Sequence, residues 1–282
     1  MAIKITPHLI ANAYHTACMA ELQALKPGNV HMFADGHGMT IDDFIRSADA
    51  TVAVMSQPDV TVGERVLYSV SATQKAVGQN TNLGILLLCA PLIQAALCTE
   101  DRQSFVNNLN KVLKQLTIQD AQHVAKAIVL ANPAGLGESS QYDVRGKIEV
   151  TLFELMRTAQ NKDRIAWQYA NNFKDILSFG LTRYAEALAK WNNRAWATTA
   201  VYLGFLSQQC DSHVIRKHGS SLAMQVMREA QAIELIYMAA DNVKLVQQKL
   251  LGWDNSLKKR HINPGTSADL TVATLLLHEV LN

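Results

Sequence analysis

Apolar residues recur at spacings of three and four along nearly the whole chain, which is the period of one buried face of an α-helix. Ile10, Ala13, Tyr14 and Ala17 show this pattern in the first segment. Alternation with a period of two, bounded by turn residues, is nearly absent, so no strand is predicted. The sequence therefore predicts an all-α fold made of many helices.

Turn and capping residues divide this pattern into separate helices. Thr6 and Pro7 suit the N-cap and first position of a helix that Lys26-Pro27-Gly28 ends. A second helix is predicted to begin near Thr40. The later predicted helices cover residues 62–77, 83–98, 103–115, 119–131, 147–159, 163–178, 180–191, 195–209 and 220–250, with a last one from about Ser267.

The most apolar stretch runs from Leu83 to Cys98 and is interrupted by Pro91 and Gln94. A helix needs about 20 apolar residues to cross a bilayer, so this stretch is too short. It predicts a central helix that is buried on all sides. The break at 132–137 is too short for a linker between domains, and one helical domain over residues 1–282 is predicted.

Charge and cysteine usage narrow the class of protein further. The 282 residues carry 26 basic and 24 acidic side chains, without the basic stripe typical of nucleic-acid or membrane-surface binding. The four cysteines form no CxxC pair, and the N-terminal segment lacks the apolar core of a signal peptide. We expect a cytoplasmic protein that binds neither nucleic acid nor membrane; a monomer and a homodimer both remain open.

The first segment with chemical potential is the Lys-Pro-Gly sequence at 26–28. Gly28 would let the backbone approach a ligand closely, and Lys26 could meet a phosphate. Glu21 lies on the apolar stripe of the preceding helix, where a carboxylate is costly to bury without a basic or metal partner. The alternatives are an ordinary helix stop and a structural ion pair.

The second segment, Asn80-Thr81-Asn82, directly precedes the predicted buried helix. Amide side chains and backbone N–H groups at a helix start can bind phosphate, because the helix dipole favours negative charge there. The alternative is an ordinary polar cap.

The third and fourth segments each hold a candidate carboxylate for Mg²⁺. Asp211 is followed by Arg216 and Lys217, which could neutralise a polyphosphate. Asp269 follows Ser267, and could be a second Mg²⁺ ligand or a general base. The alternatives make Asp211 an N-cap, the two cations a solvated face, and Asp269 part of a capping box with Thr266.

These segments, in this order, resemble the triphosphoribosyl-dephospho-CoA synthase family. Its Lys-Pro-Gly-Leu-Val-Asp segment resembles residues 26–31, and its Gly-x-His-x-Asp-Met element resembles the stretch around His37. Its Asn-Thr-His-Lys-Gly, Asp-Thr-Asn with Arg-Gly-Gly, and Ser-Pro-Gly-Gly-Ser-Ala-Asp-Leu segments resemble residues 80–84, 211–219 and 263–270.

This chain departs from the family pattern at several positions. Asn82 and Leu83 replace His and Lys, and His31 replaces Asp. Because Leu83 cannot neutralise a phosphate, we expect a natural ligand with less negative charge there or a different acceptor. Gly137, Asp143, the 163–180 segment and Asp211 resemble a divergent branch associated with tetrahydromethanopterin-linked one-carbon metabolism.

The resemblance implies an enzyme that takes MgATP and 3′-dephospho-CoA, joins C1′ of the ATP ribose to a ribose hydroxyl, and releases adenine. Two other hypotheses remain: an enzyme of the same fold with another acceptor in pterin-cofactor biosynthesis, and a non-catalytic nucleotide-binding or assembly protein. The carboxylates Glu21, Asp211 and Asp269 are the implied catalytic residues, with Asp211 and Asp269 also holding Mg²⁺. The implied nucleotide- and phosphate-binding residues are Lys26, Gly28, Asn80, Thr81, Asn82, Arg216, Lys217 and Ser267. All four segments are predicted to meet in one cleft.

Overall fold

The computed structural model describes residues 5–99, 104–133 and 146–282. The protein is 76% helical, so the predicted all-α class is confirmed. Across the described ranges no sheet forms, and backbone pairing outside helices includes two isolated antiparallel bridges, His31 with Ala34 and Gly36 with Met39. None of the helices in those ranges is long and apolar enough to cross a membrane.

The α-helices of the described ranges follow one another closely along the chain. They are α1 Pro7–Gln23, α2 Ile41–Ser56, α3 Val62–Val77, α4 Leu83–Leu97, α5 Phe105–Gln115, α6 Ile118–Ala131, α7 Leu152–Ala159, α8 Arg164–Ala170, α9 Leu181–Trp191, α10 Arg194–Gln208, α11 Ser212–His218, α12 Ser220–Ala239, α13 Gln247–Lys259 and α14 Gly265–Leu281.

These helices form two compact units. The first unit holds Met1–Ala17, Asp43–Phe173 and Leu276–Asn282, and the second holds Cys18–Asp42 and Lys174–Leu275. The single domain expected from the sequence therefore stays a prediction.

In the first unit, α4 is the buried helix that the sequence predicted. Twelve of its 15 residues are buried, including Pro91 in its middle. Proline has no N–H to donate, which leaves the carbonyl four residues earlier without its helical partner. That carbonyl belongs to Leu87, and the hydroxyl of the buried Tyr169 donates to it at 2.6 Å. The Tyr169 side chain, from the last turn of α8, thus replaces the hydrogen bond that Pro91 cannot donate.

Helices α3 and α6 of the first unit pack very closely at Gly63. The Gly63 N–H donates to Asp120 Oδ1 at 2.8 Å, and a Cβ at Gly63 would lie 2.5 Å from the Asp120 Cα. The same carboxylate accepts from the Thr117 N–H at 2.8 Å as the second half of a capping box. Asp120 therefore caps the start of α6 and connects this helix to α3 by a hydrogen bond.

Several helix limits differ from the predicted ones. The predicted helix 163–178 stops at Ala170, because Asn172 and Phe173 have positive φ angles of 52° and 55°, and a π-helix over Asp175–Gly180 then leads into α9. The predicted helix 220–250 breaks after Ala239, where the Asn242 side chain caps a short 3₁₀ turn.

The start of α7 is at Leu152 rather than residue 147, because Thr151 and Glu154 form a capping box there. Helix α14 starts at Gly265, two residues before its predicted start near Ser267. The break predicted at 132–137 begins with Asn132 as the left-handed C-cap of α6. Its remainder from residue 134, with Gly137 and Asp143, lies outside the described residues.

Candidate functional site

The Lys-Pro-Gly loop, residues 26–31, links α1 to the rest of the second unit. Gly28 has a φ of +86°, a conformation that L side chains rarely adopt. A Cβ there would lie 2.8 Å from the Pro264 Cδ and 3.0 Å from the Ile262 carbonyl oxygen. The Tyr202 hydroxyl donates to the Pro27 carbonyl at 2.7 Å. Close backbone approach to the 262–264 segment therefore requires glycine at position 28.

Lys26 is fully buried beneath this loop and forms an ion pair with Glu21. Its ammonium also donates to Asn29 Oδ1 at 2.9 Å and to the Val30 carbonyl at 2.7 Å, so all three donors have acceptors. Burial lowers the pKa of Lys26 and raises that of Glu21, and each partner's charge opposes the other's shift. Lys26 is thus the basic partner expected for the buried Glu21. The pair lies beneath the loop, and Lys26 donates hydrogen bonds to it.

Asp254 of α13 holds the same loop from the other side. Its Oδ1 accepts the Gly28 N–H at 2.8 Å, and its Oδ2 lies 3.0 Å from the Lys258 ammonium. The buried His31 Nε2 lies 3.4 Å from Oδ1, but without hydrogen-bond alignment. Burial alone would raise the pKa of Asp254; the contacts with His31, Gly28 and Lys258 outweigh it and hold this pKa below its usual range.

The sequence did not reveal Asp254 and its contacts with Gly28, His31 and Lys258. The Asp254 and Lys258 side chains are spaced i and i+4, a common helical ion-pair spacing, and this was the one available signal. The predicted helix ended at residue 250, so the pair was not placed on a helix. Its contact with Gly28 spans 226 positions of the chain, which no local pattern reveals.

Asp211 begins two helices at once. Its Oδ1 accepts from the N–H groups of His213 and Val214, at 2.9 and 3.2 Å, as the N-cap of α11. Its Oδ2 accepts from both the N–H and the hydroxyl of Ser267 in the first turn of α14, each at 2.8 Å. Burial raises the pKa of Asp211, and these hydrogen bonds oppose that shift.

This arrangement bears on the predicted Mg²⁺ ligands. A carboxylate has about four acceptor positions, and Asp211 already uses four, so it would have to release hydrogen bonds to bind a metal. Asp269 is half-buried in α14, near enough for its charge to act on Lys26. In the described ranges no three or more His, Cys, Asp or Glu side chains are grouped to hold a metal ion. The metal roles of Asp211 and Asp269 stay predictions.

The Thr266–Asp269 spacing does not mark a helix start. Helix α14 already begins at Gly265, so Thr266 lies inside its first turn. The Thr266 hydroxyl instead accepts the N–H of His213 at 3.2 Å and lies 3.0 Å from the Ser212 hydroxyl. The third and fourth predicted segments therefore contact each other directly within the second unit.

Cationic side chains and imidazoles gather where α11 meets the loops of the second unit. Arg216 and Lys217 are exposed, which fits both a solvated face and cations that could meet phosphate. Burial, followed by the nearby charges of Arg216 and Lys217, lowers the pKa of His213 to about 3. Lys258 donates to the Ala34 carbonyl at 3.1 Å, and the side chain of His218 contacts the His261 carbonyl at 3.1 Å. We call Arg216, Lys217 and Lys258 the cationic cluster.

The Asn80-Thr81-Asn82 segment belongs to the first unit. Asn82 is buried, and its Oδ1 accepts from the Thr73 hydroxyl at 3.1 Å instead of capping α4. Its Nδ2 is buried with no hydrogen-bond partner among the described residues. Asn80 caps the helix start by accepting the N–H of Leu83 at 3.2 Å. The Thr81 hydroxyl lies 2.6 Å from that of Ser47.

Of the four predicted segments, three meet in the second unit: residues 21–28, 211–217 and 265–269. The charges of Glu21 and Asp211 both raise the pKa of Tyr202, after burial, which places them near one buried hydroxyl. Residues 78–84 lie in the first unit. A single cleft that includes all four segments remains a prediction.

Comparison with known proteins gives concordant results. Residues 7–282 match the model of the CitG family, described as ATP:dephospho-CoA triphosphoribosyl transferase. In two Vibrio cholerae strains, a protein named "Probable 2-(5''-triphosphoribosyl)-3'-dephosphocoenzyme-A synthase" is 22% identical over 305 aligned positions, covering 98% of this chain and 89% of the relative.

A solved structure shares the fold. It is the crystal structure of an Archaeoglobus fulgidus protein assigned as a triphosphoribosyl-dephospho-CoA synthase. The TM-score is 0.63 at 24% identity, covering 84% of this chain and 98% of the other. At this identity the likeness supports the fold and carries no residue roles.

Proposed function

Because the chain belongs to the CitG family of ATP:dephospho-CoA triphosphoribosyl transferases, we propose that it transfers the triphosphoribosyl group of MgATP to a ribose hydroxyl of 3′-dephospho-CoA and releases adenine. The observation that carries the proposal is the family match over residues 7–282. The meeting of the Lys-Pro-Gly loop, α11 and the start of α14 in one unit supports it. The product would be the precursor of a prosthetic group.

The proposed reaction is a displacement at the anomeric carbon of the ATP ribose. The hydroxyl oxygen forms a bond to C1′, the bond from C1′ to adenine breaks, and adenine takes the electron pair. A transition state with oxocarbenium character needs a base for the hydroxyl, a proton for the departing adenine, and a clamp on the retained triphosphate.

The cationic cluster is our candidate for the triphosphate clamp. Arg216 and Lys217 are exposed on α11 and can form charge-assisted hydrogen bonds with phosphate oxygens. Lys26 has a different proposed role: its three donors are engaged inside the unit, so it shapes the loop that Gly28 and Pro27 form. Gly28 and Ser267 would shape the site, since their N–H groups donate to Asp254 and Asp211.

Magnesium would arrive with the nucleotide. Mg²⁺ in nucleotide sites takes several ligands from phosphate and water and only one or two from carboxylates, so a large protein cage is not required. Asp211 and Asp269 stay the two proposed protein ligands, and Asp211 would have to release hydrogen bonds to bind the metal.

The test is the appearance of free adenine, followed by chromatography, when the protein is incubated with MgATP and 3′-dephospho-CoA. Adenine should appear only when both substrates are present. Replacing Arg216 and Lys217 together with alanine should raise the KM for MgATP at least tenfold, because each lost charge-assisted hydrogen bond is worth about 1.5–3 kcal/mol. The matched control is Lys249→Ala, which removes another exposed cation of the second unit. Unchanged KM in the double variant would exclude the clamp.

The altered Asn82-Leu83 pair favours a second candidate, an enzyme of this family with another acceptor in tetrahydromethanopterin-type cofactor biosynthesis. Leu83 is buried at the start of α4 and supplies no charge, and Asn82 turns its Oδ1 towards Thr73. A screen of acceptors that carry a free ribose hydroxyl, scored by adenine release, separates the two candidates. Faster release with a non-CoA acceptor would establish the second.

A further inference from the structure

His37 stands at the tip of a two-residue turn. Gly36 and Met39 exchange backbone hydrogen bonds at 3.2 and 3.0 Å, and the residues between them, His37 and Gly38, have positive φ angles of 58° and 77°. Positive φ at both central positions is the mark of a type I′ turn, which favours Asn-Gly and Asp-Gly. Histidine is less common there than Asn or Asp, and the His37 ring makes a contact outside the turn, which directs attention to its side chain.

The contact of the His37 ring fixes its tautomer. Nε2 lies 2.7 Å from the Gly28 carbonyl oxygen. A carbonyl only accepts, so Nε2 must carry the proton and donate. In the neutral ring Nδ1 then has a free lone pair and can accept a proton. The Lys-Pro-Gly loop thereby orients a base at its own surface.

The groups that surround His37 favour the neutral ring. Burial lowers the pKa of His37, the hydrogen bond to Gly28 opposes that shift, and the charges of Lys217, Lys258 and His261 lower the pKa further. His213 also lies near enough to be affected by His37. The largest effects of neighbouring charges on His37 come from these cationic groups. The imidazole can therefore accept a proton at neutral pH, beside cations that suit a polyphosphate.

Two of the three carboxylates expected to act in catalysis have structural partners, and the third, Asp269, is a proposed Mg²⁺ ligand. Glu21 pairs with Lys26, and Asp211 caps α11 and the start of α14. On the basis of the proposed function, we propose that His37 is the general base that accepts the proton of the attacking hydroxyl at Nδ1. In that step the hydroxyl proton moves to Nδ1, the oxygen bonds to C1′, and the adenine that leaves takes a proton from water. His37 then returns its proton to water, so no further reactant is needed.

The first test is the pH profile of adenine release. For the unaltered protein, kcat/KM should rise through a single acid limb centred below the usual histidine pKa of about 6.5. His37→Asn should lower kcat by roughly a hundredfold to ten-thousandfold and abolish this limb. The turn should survive, because the change creates the Asn-Gly pair that a type I′ turn prefers. Normal thermal melting confirms that the variant is folded.

The control is His8→Asn, since His8 is an exposed histidine of the first unit and is not among the groups that act on His37. It should keep kcat within about threefold. A His37→Asn variant that keeps its rate, or loses rate but retains the acid limb, overturns the proposal. If the unaltered protein releases no adenine at all, the proposed function fails instead.

A second measurement does not depend on any variant. Nitrogen NMR of the unaltered, ¹⁵N-histidine-labelled protein should show His37 protonated at Nε2 and unprotonated at Nδ1 at neutral pH. Its titration midpoint should coincide with the acid limb of the rate profile. Protonation at Nδ1 in the neutral ring would refute the assignment, because that nitrogen could not then accept the hydroxyl proton.

Discussion

Replacing Gly28 with alanine should destabilise the second unit more than any other glycine substitution with a comparable φ there. Two effects add. Alanine in the left-handed region costs about 1–2 kcal/mol. The new Cβ would also lie 2.8 Å from the Pro264 Cδ and 3.0 Å from the Leu257 Cδ1, and such overpacking typically costs about 1–3 kcal/mol. We therefore expect a loss of roughly 2–5 kcal/mol.

Gly38→Ala is the matched control for this experiment. Gly38 has a similar φ of +77° in the same unit, but a Cβ there would meet no atom within 4 Å. It should therefore lose only the conformational part, about 1–2 kcal/mol. The assay is urea unfolding monitored by circular dichroism. The free energies of unfolding of the two variants are compared, and equal m-values show that the comparison is valid. Equal stability losses in the two variants would show that the close approach of Gly28 to the 257–264 segment is not the constraint we describe.

Three further predictions concern buried charges. Asp211→Asn should lower the melting temperature by several degrees, since the new amide cannot accept all four hydrogen bonds; weaker MgATP binding with normal melting would instead support a metal role. Glu21→Gln should cost about 3–5 kcal/mol in denaturant unfolding because it leaves the Lys26 ammonium buried without its charge partner, and an unchanged midpoint would contradict this. Asp254 has a depressed pKa in the folded state, so its contribution to stability is present above the ordinary Asp pKa of about 3.9 and is lost as the pH falls below it. The free energy of unfolding of Asp254→Asn should therefore fall less steeply with acid than that of the unaltered protein. Parallel curves of the free energy of unfolding against pH would refute this.

Helix positions were predictable from sequence wherever the polar residues that end a helix are local. The limits of α3, Val62–Val77, agree with the prediction, because Thr61 and Glu64 form its capping box and Gly78 its left-handed C-cap. The break after α8 has one local signal, Asn172, which tolerates positive φ, but Phe173 carries no turn signal. Phe173 is fully buried, and its ring lies 5.3 Å from that of Tyr169.

The candidate site was predictable as separate segments and not as contacts. Lys26, Gly28, Asp211 and Ser267 were named from sequence, and the structure adds that Ser267 binds the Asp211 carboxylate. The structure also shows that Lys26 is buried and pairs with Glu21 of α1, and its predicted phosphate contact stays a prediction. Long-range partners such as Asp254 depend on the packing of α13 against the loop, which no local spacing encodes.

Asn82 takes the place of a histidine in the family pattern, which the sequence shows. The direction of the Asn82 side chain is known only from the structure. In the first unit it accepts from Thr73 and leaves Nδ2 without a partner among the described residues. If this segment binds a ligand, as predicted, we expect Nδ2 to donate to a neutral oxygen, because no cation replaces the family's lysine at Leu83.

The most direct test of the central claim is mass spectrometry of the reaction of the unaltered protein with MgATP and 3′-dephospho-CoA. We predict that 3′-dephospho-CoA gains one triphosphoribosyl group and that adenine forms in an equal amount. Release of ADP or AMP with adenine still attached to its ribose, and no change in the mass of 3′-dephospho-CoA, would contradict the account.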